Sequence, residues 1–423
     1  MADRPDESGI VPFLRAGPPP DRTRREGWQQ WRKQRDLFTP APRLSPEEYA
    51  ALSPRRRGLH DIHRTATHMN IGLLETPMSS KVTKHMRSRL RNNALNFEPG
   101  TRDGLMISGG GYLGKTETAC AAAAAFEDVW RDLHHQLLPP PVEGTRDLFV
   151  PVAYCRTPVR ATPKALCATI LDFYGAPHPK TLNGLIRAVK DSLRDHRTTA
   201  LLLDDITRLR LHREDDQDTL DLIRELMDLN VTLVLIGVDI PRSGLVRGGF
   251  ADPSTGQWIV PPVYAGKSHN PAAATQTERR FDLVDLDPFD YDTIEGTSAF
   301  IEHLAGIEDR LRLFRAWPGM LTEGEMPEYL YRRTRGIVGL LKRLIEAGST
   351  DAIESGSEEL TPEQLAKIPI RLGNLADRDP SEIPEIPTAD PLPEHLSKPT
   401  PRRRARNTVF DDRGDRAAGG TRP

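Results

Sequence analysis

Leu105-Met106-Ile107-Ser108-Gly109-Gly110-Gly111-Tyr112-Leu113-Gly114-Lys115-Thr116 is the stretch on which the reading of this chain turns. A short apolar run suited to a buried parallel strand passes without a break into a glycine-rich loop. An alanine-rich helix, expected over Thr118 to Leu133, follows at once. Residues 109–116 satisfy G-x-x-x-x-G-K-[ST]. Glycines at these positions let the backbone curl so that successive N–H groups face one anion, and the following helix adds the positive end of its dipole. Lys115 is placed to reach phosphate oxygens and Thr116 to ligate Mg²⁺, with the loop contacts running on to Glu117. The expected cofactors are therefore ATP and Mg²⁺.

Beyond this stretch, strands are expected at Leu148 to Tyr154, Leu201-Leu202-Leu203 and Val231 to Ile236. Helices are expected from Thr162-Pro163-Lys164 to Phe173, over Leu182 to Asp195, and over Leu220 to Leu229. Strands alternating with helices of this length imply an α/β fold with a parallel, doubly wound sheet. Upstream, Ser79 or Ser80 is read as the cap of a helix in which Val82, Met86, Leu90 and Ala94 recur every four residues. Asp204-Asp205 closes the third strand. A carboxylate there, Asp204, can hold the metal shell from the far side of the phosphates, and Asp205 stands where a water-orienting carboxylate would sit.

The chain has 423 residues, 37 prolines, three cysteines and a formal charge of −2. Its length suits two or three domains. Cys120, Cys155 and Cys167 have no metal-binding spacing, no apolar run is long enough to span a membrane, and the N-terminus lacks a signal-peptide core. A cytoplasmic protein is expected, with no membrane partner. The expected division is a largely disordered arm over 1–58, an α/β nucleotide-binding domain over 59–285 with a loop insertion at 248–277, a helical lid over 286–368, and a disordered Pro/Arg-rich tail over 369–423. Residues up to about Pro46 read as mostly unstructured, although Trp28 and Trp31 fit one apolar patch on a short helix packed on the core.

With these parts placed, the chain resembles the TniB/TnsC family of AAA+ ATPases, which regulate DNA transposition, over about residues 60 to 365. The resemblance rests on Val152-Ala153-Tyr154 followed by Thr162-Pro163-Lys164-Ala165-Leu166, on Leu203-Asp204-Asp205-Ile206-Thr207-Arg208-Leu209, and on Val234-Leu235-Ile236-Gly237. It continues in Arg279-Arg280-Phe281 and in Thr334-Arg335-Gly336-Ile337-Val338-Gly339-Leu340-Leu341. It implies an AAA+ fold with a small C-terminal α-helical lid. It also implies an ATPase that self-associates into a ring or filament on duplex DNA and links a target-selector protein (TniQ-like) to a transposase. Arg280 matches the position that completes a neighbour's site, with Arg279 as runner-up. Lys164, Lys180 and Thr181 match the region that contacts DNA, although Thr181 also fits a helix cap.

Three departures stand out. Asp205 replaces the family's Glu and Thr207 its His. Val238 follows Gly237 where a phosphate-sensing Thr is usual, leaving Asp239 as the substitute. Gly339 stands where many AAA+ lids carry arginine. Slow hydrolysis is the expectation. A signalling or defence-type P-loop ATPase acting through protein partners without DNA is the alternative. The basic clusters at Arg22 to Arg35, Arg55-Arg56-Arg57, Lys81 to Arg91 and Arg402-Arg403-Arg404 with Arg406 fit phosphate contacts or solvated faces.

Overall fold

The strands at the centre of the chain are nearly continuous apolar runs, which is what a parallel sheet covered on both faces requires. A computed structural model describes residues 19–137, 148–160, 162–208, 222–243, 250–251, 258–259 and 280–370. Within it, β1 (Gly104–Ser108), β2 (Val152–Arg156), β3 (Ala200–Asp204), β4 (Thr232–Ile236) and a further strand, Phe281–Asp285, form one sheet. Two short strands precede the last of these, β5 (Phe250–Ala251) and β6 (Trp258–Ile259), paired antiparallel. Phe281–Asp285 is therefore β7. The order is β2-β3-β4-β1-β7, with every pairing parallel. This is an α/β fold with a wholly parallel main sheet.

β7 is a correction. The sequence reading placed no strand between Ile236 and the helical segment from 286. Only Phe281 and Val284 of Phe281-Asp282-Leu283-Val284-Asp285 are buried, because β7 lies at the sheet edge and turns its two aspartates outward. Its register on β1, Leu105 beside Asp282 and Ile107 beside Val284, is what holds it.

The helices over the sheet fall close to expectation. α4 (Pro77–Leu95) buries Val82, Met86 and Leu90, but its cap is Thr76, which closes a capping box with Ser79, rather than Ser79 or Ser80. α5 (Lys115–Leu137) packs on α4 and β1. α6 (Pro163–Tyr174) and α7 (Leu182–Asp195) link β2 to β3. Residues 222–227 are helical (α8), and Ile240–Ser243 forms one further turn, α9.

The first 58 residues depart most from expectation. From residue 25 onward they hold α1 (Arg25–Gln34), α2 (Pro46–Ala51) and the start of α3 (Pro54–Met69). α1 carries Trp28 fully into the main core, where its indole Nε1 donates to Glu127 at 2.7 Å. Arg32 and Arg35 pair with Asp128 on the next position of α5. The short helix packed on the core was legible in the two tryptophans. Its acidic partners, some 95 residues away, were not.

A second apolar cluster gathers Phe289, Phe300, Leu304, Leu330, Leu341 and Leu344. It is built from α10 (Ile294–Glu308), α11 (Met326–Thr334), α12 (Val338–Ser355) and α13 (Pro362–Ala366). α3 packs on α12, and its buried Arg64 is neutralised by Glu358 at 2.7 Å and Asp61 at 2.6 Å. Most of 248–277 and the tail beyond 370 lie outside the described residues.

Candidate functional site

Because the sheet is parallel, the C-terminal ends of β1, β3 and β4 meet at one edge, where open α/β sheets place their ligands. Three segments converge there: the loop 109–116 after β1, Asp204-Asp205 at the end of β3, and Gly237-Val238-Asp239 after β4. Gly109 adopts φ +148, and a Cβ there would lie 2.2 Å from the Leu286 carbonyl oxygen. Only glycine allows that approach. Gly114 has φ +83 with open space around it, and Tyr112 is also left-handed at φ +61.

Thr116 Oγ1 donates to Asp204 Oδ2 at 2.9 Å, so the two expected metal ligands already face each other. The other Asp204 oxygen accepts from the Asp205 backbone N–H at 2.9 Å. Lys115 Nζ turns back onto the loop, donating to the carbonyls of Gly109 at 2.9 Å and of Gly110. Burial lowers its pKa, with Asp204 and Asp205 acting in the opposite direction. The ammonium is thus held on neutral carbonyls, the weaker acceptors compared with phosphate oxygens. Hydroxyl, carboxylate, ammonium and an open loop suit a triphosphate with a hard, oxygen-preferring cation. Among the described residues no cluster of three or more His, Cys, Asp or Glu offers another metal site.

The remaining expected residues divide. Asp205 sits at φ +55 and its carboxylate is paired with Arg208 at 2.8 Å. The Asp239 backbone N–H donates to the Gly109 carbonyl at 3.3 Å, placing the substitute residue beside the loop. Val238 is half exposed. Arg280 lies before β7, at the opposite end of the sheet from the loop, about 20 Å away along the strand direction. It faces Asp228 at 3.7 Å, while Asp282 is taken by Arg89. Arg279 and Glu278 lie outside the described residues.

Thr181 caps α7, accepting from the Gly184 N–H at 3.1 Å, while Lys164 and Lys180 are exposed. Of the basic clusters, much of 22–35 is neutralised internally: Arg22 by Glu117, Arg24 by Asp172, and Arg32 and Arg35 by Asp128. Lys81, Lys84, Arg87 and Arg91 line the exposed face of α4. Arg402 to Arg406 lie outside the described residues.

The sequence reading missed two features. The first is Tyr154 on β2, whose hydroxyl donates to Asp204 Oδ2 at 2.7 Å. The second is the seat of the helical cluster on the loop. Gly339, at the start of α12, donates its N–H to the Tyr112 carbonyl at 2.8 Å. A Cβ at 339 would lie 2.5 Å from that same oxygen. A side chain at 339 therefore has no room against the loop. Beside this contact, Leu73, Tyr112, Gly114, His303, Val338 and Ile345 line a largely apolar cavity of about 380 Å³. Burial pushes the His303 pKa down to about 4, so its imidazole is neutral near pH 7.

Residues 101–241 match the family model AAA_22, described as an AAA domain. Among solved structures, the chain is similar to the Aeropyrum pernix ORC1 protein in complex with DNA, at 14% identity and TM-score 0.48, over 71% of this chain and 67% of that one. It is also similar to domain III of the Thermotoga maritima replication initiation protein DnaA, at 13% identity and TM-score 0.39, over 69% and 91%. AMPPCP-bound DnaA from Aquifex aeolicus aligns at 16% identity and TM-score 0.38, over 68% and 66%. No curated protein matches. No helix among the described residues is long and apolar enough to cross a membrane.

Proposed function

We propose that the chain is an ATP-binding AAA+ regulator of DNA transposition, which oligomerises on duplex DNA and links target selection to a transposase. The observation that carries the nucleotide part is the Thr116–Asp204 pair beside Lys115 at the open loop. In this reading Gly109 to Glu117 hold the phosphates, Thr116 and Asp204 hold Mg²⁺, and the apolar cavity beside Gly114 takes the base. The metal supplies neutralisation of β- and γ-phosphate charge. Asp205 orients the attacking water once it leaves Arg208. Arg280 acts in trans, because its place at the other end of the sheet puts its own site out of reach. The transposition part is supported by the five ordered motifs quoted above. DNA contact is supported by the basic exposed face of α4 and by the position of Lys164 and Lys180. The helical cluster over 286–368 serves as the lid.

One observation favours the signalling alternative: the arginines of α1 are already engaged by acidic partners, which removes them from the count of phosphate contacts. The two readings separate on one experiment, sedimentation with a non-hydrolysable ATP analogue, with and without duplex. The expected result is oligomers that form on unrelated duplexes alike and dissociate steeply as salt rises, because phosphate contacts release counterions and carry no sequence. Arg280→Ala should abolish both the oligomers and hydrolysis while each monomer still binds the analogue. A wild-type protein that stays monomeric and ignores DNA at low salt gives the protein-partner reading instead.

A second expectation concerns rate. Asp205→Glu should raise ATP turnover by about 10-fold, since angstrom-scale misplacement of such a group can cost about 100-fold. It should also cost up to about 1 kcal/mol of stability, because Asp tolerates the left-handed backbone at 205 better than Glu. Turnover that falls in the Glu variant would mean that the site is tuned around Asp205.

A further inference from the structure

Tyr154 is the point where the N-terminal arm meets the metal end of the nucleotide site. Its side chain is almost fully buried, and its hydroxyl shares Asp204 Oδ2 with Thr116. The Asp204 carboxylate therefore has three donors: Tyr154 and Thr116 on one oxygen, the Asp205 N–H on the other.

The arm packs against the Tyr154 ring. Trp28 of α1 stacks on it at 6.1 Å between centroids and 17° between planes. The Arg22 guanidinium lies 5.7 Å from its centroid and 5.0 Å from that of Trp31. Arg22 also makes a two-pronged pair with Glu117, the residue after Thr116, at 2.7 and 3.0 Å. Two routes thus run from the arm to the site: Trp28 through Tyr154 to Asp204, and Arg22 through Glu117 to the first turn of α5.

We infer that Tyr154 is a positioning residue that fixes the rotamer of Asp204 for the metal, and that docking of α1 and binding of Mg²⁺–nucleotide stabilise each other through it. This rests on the nucleotide reading above. A group that orients a metal ligand from behind is commonly worth about 10-fold or more in metal affinity. Linkage then requires that whatever tightens the site also tightens the arm.

The test is Tyr154→Phe in the full chain, which keeps the stacked ring and removes only the hydroxyl. Binding of a fluorescent ATP analogue is titrated with Mg²⁺, and again in EDTA. Trypsin cleavage within residues 22–35 is followed with and without Mg²⁺–analogue. The expected result is a Mg²⁺ midpoint raised about 10-fold with unchanged binding in EDTA. In the wild type, Mg²⁺–analogue should slow cleavage of the arm; in the variant it should do so far less. An unchanged midpoint overturns the inference, including where the variant merely melts at lower temperature, since a packing role alone would do that. An equal loss of binding in EDTA also overturns it. A wild-type protein that binds no analogue overturns the nucleotide reading and this inference together, whereas wild-type binding with an unmoved midpoint removes the inference alone.

Discussion

We expect Lys115→Ala to weaken binding of a fluorescent ATP analogue by at least about 100-fold while leaving the thermal unfolding midpoint within a few degrees of wild type. The affinity loss follows from the bonds removed. Each hydrogen bond from an ammonium to an anionic oxygen is worth about 1.5–3 kcal/mol, and two of them exceed the roughly 2.7 kcal/mol that a 100-fold change represents. The small stability effect follows from what Lys115 does in the protein by itself. Its Nζ is held on the Gly109 and Gly110 carbonyls, and burial lowers its pKa, so the folded state gains little from the charge. Equal affinity in variant and wild type would remove the phosphate site from residues 109–116.

Gly339→Arg is the second substitution with a large effect, and its direction runs against intuition. It introduces the arginine that the family resemblance leads one to expect, yet it should impair the protein. A Cβ at 339 would sit 2.5 Å from the Tyr112 carbonyl oxygen and 3.0 Å from the Tyr112 Cβ. The main-chain contact cannot be relieved by a rotamer change, so α12 must lift away or the loop must deform. Overpacking of this kind costs about 1–3 kcal/mol, and the Gly339–Tyr112 hydrogen bond, about 1 kcal/mol, goes with it. The expected outcome is a fall in unfolding midpoint of several degrees together with at least about 10-fold weaker analogue binding, because Tyr112 belongs to the loop itself. A variant that binds more tightly would show that the helical cluster moves freely relative to the loop.

How much of this was legible depended on whether the signal was local. The loop 109–116, the runs Leu201-Leu202-Leu203 and Val231 to Ile236, and the apolar spacing of α4 all announce themselves within ten residues or so. Four strands of the main sheet could be placed from such runs. β7 could not, because an edge strand with two outward aspartates buries too little to stand out, and its register is set by β1, far off in the chain. The same limit explains α1. Arg22, Arg32 and Arg35 look like a solvated or DNA-binding stretch until Glu117 and Asp128 are brought beside them. At the site, Asp204 was readable from its place at a strand end. Tyr154 was visible only as one residue of a strand, since its hydroxyl meets Asp204 across two neighbouring strands. Gly339 was read as a missing arginine, because nothing local reports that another backbone passes within van der Waals reach.

The parallel sheet also has a consequence for counting. Its two ends are not equivalent: one carries the loop 109–116, the other carries Arg280. If Arg280 completes a neighbour's site as proposed, subunits must associate head to tail, each giving through one face and receiving through the other. A pair of chains then finishes one site and leaves the other without its arginine. An open row always has one unfinished site at an end, a share that shrinks as the row grows, and a closed ring has none. Output per chain would thus rise with assembly size even if every finished site were identical, so the protein could report its own degree of polymerisation through turnover alone.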